Sequence, residues 1–190
     1  MIKSELRKIF LEKQKSLSQT TRTQMSESVV NQLFTNFDFN EKRFVNCFVT
    51  LEKNNELETS AIFNKIWHDF PHITMTAPRI NFDSSILECV KVEDESQLVA
   101  NKWEILEPNG ERIVEYQKLD VVIVPLMAFD NRGFRVGYGK GFYDKFLNKC
   151  RKDCAKIGLS LFPPVEKIRD VRYFDVKLDF CITPSKIFAF

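Results

Sequence analysis

Hydrophobic positions at the start of the chain recur every three to four residues. Ile2, Leu6, Ile9 and Phe10 keep this spacing and predict a helix over 2–15. The polar stretch SLSQTT breaks it. Met25, Val29, Leu33 and Phe37 then form the apolar stripe of a second helix, from about Thr21 to Phe37. The pattern changes in RFVNCFVTL (43–51), where Val and Phe predict a strand. KNNEL reads as a loop. Thr59 is placed to cap a helix carrying Ile62, Phe63, Ile66, Trp67 and Phe70, which Pro71 stops.

Further along, HITMTAP (72–78) and ILECVKV (86–92) predict short strands, and LEPNGE a turn. LDVVIVPL (119–126) is a continuous apolar run of the buried-strand type. YDKFLNKCRK predicts a helix, KIGLSL a strand and DFCIT a terminal strand. Strands alternating with helices imply an α/β fold. We expect a single domain over 1–190 with a mixed, mostly parallel sheet flanked by helices on both faces, a Rossmann-like three-layer arrangement. No repeat, low-complexity tract or linker interrupts it.

Composition narrows the function classes. Hydrophobic content of 44% and charged content of 28% are ordinary for a globular chain. The net charge of +2 comes from interleaved acids and bases, so no basic face for nucleic acid is expected. No apolar run reaches membrane-span length. The five cysteines are odd in number and form no CxxC pair, and MIKSELRKIF is too charged for a signal peptide. The expectation is a reduced, cytoplasmic chain, taken as a monomer. Cys150 and Cys154 lie one helical turn apart but lack a second ligand pair for zinc. His68 and His72 read as boundary residues of a helix end.

The chemistry concentrates in GFRVGYGKGFYD (133–144), which holds four of the six glycines. A buried strand precedes it and a helix follows. Glycines in that place let backbone N–H groups converge on a phosphate, and ligands of open α/β sheets bind beyond the carboxyl ends of the strands. The spacing of Gly137, Gly139 and Gly141 is neither a Walker A motif nor the dinucleotide fingerprint. A tight turn would explain the glycines alone. Arg135 and Lys140 add phosphate-binding charge. Asp144, in the first turn of the next helix, would either complement the helix dipole or meet the phosphates through magnesium, which is held by few carboxylates plus phosphate oxygens.

The stretch VVIVPLMAFDNRGFRVGYGKGFYDKFL resembles the signature of the 5-formyltetrahydrofolate cyclo-ligase family. KSELR, NELETSAI, APR, WEILEP and DVKLDFCIT are similar to that family's other segments and follow in the same order. The resemblance implies ATP- and Mg²⁺-dependent closure of 5-formyltetrahydrofolate to 5,10-methenyltetrahydrofolate, with ADP and phosphate released. It implies nucleotide contacts at Lys3, Arg7, Gly133, Arg135, Gly137, Tyr138, Gly139, Lys140 and Gly141. Lys140, Arg135 and Tyr143 would serve catalysis. Leu51, Glu56, Trp103 and Phe142 would meet the folate, and Asp144 and Asp179 the magnesium. Two positions depart from the family pattern: Leu126 stands in place of glycine, and Phe174 in place of a histidine. Two other readings remain open at this point. One is a related ATP-dependent ligase with a different small substrate. The other is a folate- or nucleotide-binding regulator without turnover.

Overall fold

The structure, a computed structural model, describes residues 1–81, 84–101 and 105–190. The chain opens with two helices, α1 (Lys3–Lys15) and α2 (Gln19–Asn36). The Ser18 hydroxyl caps α2 by accepting from the Thr21 N–H at 3.1 Å. Strand β1 (Phe44–Cys47), helix α3 (Ser60–Asp69) and strands β2 (Thr74–Asn81) and β3 (Ile86–Lys91) follow. A small ribbon of β4 (Leu98–Ala100) and β5 (Leu106–Pro108) precedes β6 (Ile113–Val114) and β7 (Val121–Pro125). Next come a hairpin of β8 (Ala128–Phe129) and β9 (Arg135–Val136), then helix α4 (Phe142–Leu147). Strands β10 (Ala155–Leu159), β11 (Phe180–Ile182) and β12 (Ile187–Ala189) complete the fold.

Eight of these strands form one sheet in the order β12-β11-β10-β7-β1-β2-β3-β6. The middle, from β11 to β2, is parallel, and β12, β3 and β6 add antiparallel edges. The continuous apolar run of β7 places it centrally, because a parallel strand is covered on both faces. Its side chains alternate accordingly. Val121 and Ile123 join a core with Val29 and Leu33 of α2 and with Ile62, Phe63 and Ile66 of α3. Val122 and Val124 point the other way, toward Phe146 and Leu147 of α4, Leu87, Cys89 and Leu178. Helices therefore cover both faces, as the alternation of strands and helices predicts. A third cluster packs Leu6 and Phe10 of α1 against Met127, Ala128 and Val136 of the β8–β9 hairpin and against Ile168.

Several boundaries differ from the sequence expectation. The strand predicted over 43–51 ends at Cys47. Beyond it, the Phe48 carbonyl accepts from the Thr59 hydroxyl at 2.9 Å and the Thr50 hydroxyl donates to the Leu57 carbonyl at 3.0 Å. These bonds fold the segment into a loop over the sheet end. Thr59 thus uses its hydroxyl across the loop rather than as a helix cap. Helix α4 stops at Leu147, and the N–H groups of Lys149 and Cys150 turn back to the carbonyls of Phe146 and Leu147. DFCIT is not the last strand, since Thr183 and Lys186 bond across a turn and β12 returns along β11. LEPNGE begins as strand β5 rather than as a turn. Among the described residues, no helix is long and apolar enough to cross a membrane.

Candidate active site

The parallel strands end at a cleft of about 700 Å³. Pro125 at the end of β7, the glycine loop, α1 and the loop after β1 all border it. Lys3, Arg7, Lys53, Arg135, Lys140 and Arg172 face it, against Asp144, Asp170 and Asp175. That excess of cations suits an anionic ligand.

Each wall has a local cause. Lys3 and Arg7 lie one helical turn apart and so share a face of α1. The Arg7 Nε donates to the Gly137 carbonyl at 2.8 Å, joining parts of the chain 130 positions apart. Gly139 has φ of +101°, which side chains rarely adopt, and a Cβ there would sit 3.2 Å from the Arg7 guanidinium carbon. At Gly137 and Gly141 a Cβ would meet nothing within 4 Å, so the loop leaves open space for a ligand. Lys140 is exposed and makes no ion pair among the described residues.

Arg135, expected at the phosphates, is buried. Its guanidinium donates to the Val176 carbonyl at 2.5 Å and to Asp144 Oδ1 at 2.8 Å. Burial draws its pKa down, while Asp144 and Asp175 oppose that shift. The Val176 N–H also donates to Asp144 Oδ1, at 3.0 Å. Arg135 thus braces Asp144 and the 176 segment from behind the loop. Both bonds fall on Oδ1, leaving Asp144 Oδ2 unpartnered among the described residues.

The two aspartates assigned to magnesium do not meet. Asp179 precedes β11, at the amino-terminal edge of the sheet. There it accepts from the Lys156 backbone N–H at 2.8 Å and from Lys156 Nζ at 3.2 Å. The first aspartate of the same segment, Asp175, borders the cleft instead. Its Oδ2 lies 2.5 Å from Lys3 Nζ and accepts from the Arg172 N–H at 2.6 Å. The D-x-x-L-D spacing offered two carboxylates, and only the strand boundary separates them. Among the described residues, no three His, Cys, Asp or Glu side chains gather as a metal site. A magnesium ion needs only one or two carboxylates beside phosphate oxygens, so the unpartnered Asp144 Oδ2 fits that need, and Asp175, taken up through Oδ2 by Lys3, has its Oδ1 left.

Glu56 is 4% exposed and lies behind the cleft wall. Arg22, itself buried, anchors its loop from both sides, to Glu52 and Glu58 at 2.7 Å each. Asn55, in the left-handed conformation, donates to carbonyls at the end of α1. Glu56 Oε2 accepts from the Leu51 N–H at 2.9 Å, and Oε1 from the Tyr138 hydroxyl at 3.0 Å. Burial raises its pKa to about 7, against the two hydrogen bonds that favour the charged form.

The remaining expected residues fall into three groups. Leu51 and Phe142 border the cleft. Tyr143 also borders it, but its hydroxyl is buried with no hydrogen-bond partner among the described residues, and burial pushes its pKa up. Gly133 lies away from the loop's cradle, against the Phe190 ring, 2.6 Å from where its Cβ would be. Trp103 lies outside the described residues. The departure at Leu126 is absorbed in the core. Leu126 is buried, and its Cδ2 would lie 2.7 Å from a Cβ on Gly158. Residues missed in the sequence include Asp170, Arg172 and Phe174, which come to the cleft mouth from a loop without periodicity.

A sequence model of the 5-formyltetrahydrofolate cyclo-ligase family matches residues 1–184. The chain is 36% identical over 121 residues to a probable 5-formyltetrahydrofolate cyclo-ligase of Schizosaccharomyces pombe, a match covering 55% of this chain and 58% of that protein. It is 29% identical over 143 residues to the 5-formyltetrahydrofolate cyclo-ligase of Escherichia coli, covering 73% and 78%. Its fold superposes on the solution structure of Aquifex aeolicus 5,10-methenyltetrahydrofolate synthetase with a TM-score of 0.82. That match covers 100% of this chain and 93% of that one, at 24% identity.

Proposed function

The chain belongs to the 5-formyltetrahydrofolate cyclo-ligase family, and we propose that it performs the ATP-dependent closure of 5-formyltetrahydrofolate to 5,10-methenyltetrahydrofolate. ADP and phosphate are released. One observation carries this reading beyond the family match. The cleft joins an open glycine loop and cations from the far end of the chain, and a buried carboxylate behind its wall is connected to that loop by one hydrogen bond.

The chemical obstacle is the formyl oxygen, a poor leaving group. It attacks the γ-phosphorus of ATP, and the bond to ADP breaks. N10 of the folate then attacks the formyl carbon and loses its proton, and the carbon–oxygen bond breaks to expel phosphate. The protein's part is to position reactants and stabilise charge. Lys3, Arg7 and the 137–141 loop would hold the triphosphate, with Lys140 as the mobile charge at the transferring group. Arg135 acts through Asp144, whose carboxylate it fixes. Asp144 and Asp175 would hold magnesium, which neutralises phosphate charge when bound. Leu51 and Phe142 would pack on the pterin, and Glu56 would accept its N–H donors. We place the reaction in the cytoplasm, consistent with five free cysteines.

The test is to mix the protein, Mg-ATP and 5-formyltetrahydrofolate and follow the near-ultraviolet band of the methenyl product together with ADP. Equal amounts of both support the proposal. ADP formation only with another substrate indicates a related ligase, and binding without turnover indicates a regulator.

A further inference from the structure

Glu56 has no face on the cleft. Leu51 and Tyr138 border the cleft in front of it, and both of its oxygens are engaged by those two residues. Tyr138, on whose hydroxyl Asn54 also acts, is the side-chain half of this cover. It keeps 41% exposure, stands between Gly137 and Gly139, and belongs to the nucleotide loop, 82 positions from Glu56. The Leu51 N–H, in contrast, is backbone on a loop tied down through Arg22 and Asn55.

We infer that Tyr138 is a gate: its hydroxyl occupies the folate carboxylate in the unliganded enzyme, and nucleotide binding at the 137–141 loop withdraws it. This rests on the reading of Glu56 as the acceptor for the pterin's N–H groups. Glu56 is buried behind Leu51 and Tyr138, so a pterin edge reaches its Oε1 only through the place where the Tyr138 phenol now stands. The loop that must move is the one proposed to take the phosphates, and Arg7, which would meet those phosphates, is what now holds its Gly137 carbonyl. The two ligands are thereby coupled, and the coupling is reciprocal. Tyr138 is a positioning residue on this account, because it acts through Glu56. Cys47, Glu52 and Tyr143 also interact electrostatically with the Glu56 carboxyl, and none of them belongs to the 137–141 loop.

The experiment measures 5-formyltetrahydrofolate affinity by calorimetry at about pH 8.5, where Glu56 is ionised. It is run with and without a magnesium complex of a non-hydrolysable ATP analogue. For the natural chain, the analogue should tighten folate binding about tenfold, the effect of removing one hydrogen bond to a charged group. Tyr138→Phe should bind folate about tenfold tighter without the analogue and lose most of the enhancement. Tyr138→Leu should behave alike, since both lack the hydroxyl. The gate is overturned if Tyr138→Phe binds folate no tighter than the natural chain, or if the analogue enhances its binding as before. Glu56→Gln separates the underlying reading. Weakened folate binding with the analogue present supports Glu56 as the acceptor, and unchanged binding overturns both that assignment and the gate.

Discussion

Substituting Glu56→Gln removes a titrating group while keeping its volume and one carbonyl oxygen. In the unfolded chain a glutamate titrates near 4.5, and in the folded protein this one titrates at about 7. Between those values the folded state holds more protons than the unfolded state, so stability falls as pH rises. Each pH unit of difference is worth about 1.4 kcal/mol, which gives about 3 kcal/mol in total. The loss begins near the unfolded value and is complete once the folded carboxyl has ionised. Above that the curve is level. Urea unfolding of both proteins at several pH values isolates the effect, because other groups cancel in the difference. The natural chain should lose about 3 kcal/mol relative to Glu56→Gln as pH rises from about 4.5 to about 8. A difference that is flat across this range would refute the burial argument. The same titration bears on function, since only the charged form offers both oxygens as acceptors. Folate affinity should rise through neutral pH in the natural chain and stay level in the variant.

Three further outcomes follow from particular contacts. Lys140→Ala removes a cation without an ion pair, so stability should change by less than about 0.5 kcal/mol while turnover or ATP affinity falls. Unchanged steady-state kinetics would remove it from the site. Asp144→Ala leaves the Arg135 guanidinium buried without its carboxylate. It should cost about 3 kcal/mol in urea unfolding, the low end for a buried pair because Asp144 is partly exposed, and abolish magnesium-dependent turnover with folate binding retained. Gly158→Ala places a Cβ 2.6 Å from Leu178 and 2.7 Å from Leu126. It should destabilise by about 1–3 kcal/mol, and Leu126→Ala in the same chain should recover part of that loss. Independent, additive effects on the midpoint would contradict the close packing of these residues.

The glycine loop was legible because its spacing, its cations and the apolar run of β7 all lie within one short stretch. The sheet was legible for a related reason: parallel strands must be apolar on both faces, and β7 is. The β8–β9 hairpin was not, since strands of two residues carry no period. Helix α4 was overextended because YDKFLNKCRK keeps helical composition past the point where the backbone tightens toward β10. Lys3 and Arg7 share a helix face by spacing, but the place of Arg7 at Gly137 and of Lys3 at Asp175 depends on α1 packing over the hairpin through Leu6 and Phe10. The choice between Asp175 and Asp179 required the strand boundary at Phe180. Burial of Glu56 depends on Arg22 and Asn55 tying its loop to distant helices, and no local pattern encodes that. Leu126 departs from the family pattern in sequence, and its side chain fills the space left by Gly158.

We propose that the cleft transfers the γ-phosphoryl group to the formyl oxygen before the ring closes. Substrate carrying heavy oxygen in its formyl group tests it directly, with mass spectrometry of the phosphate released in a single turnover with Mg-ATP. The label should appear in phosphate, because the carbon–oxygen bond breaks after the oxygen has joined phosphorus. Methenyl product with the label in water, and unlabelled phosphate, would contradict it.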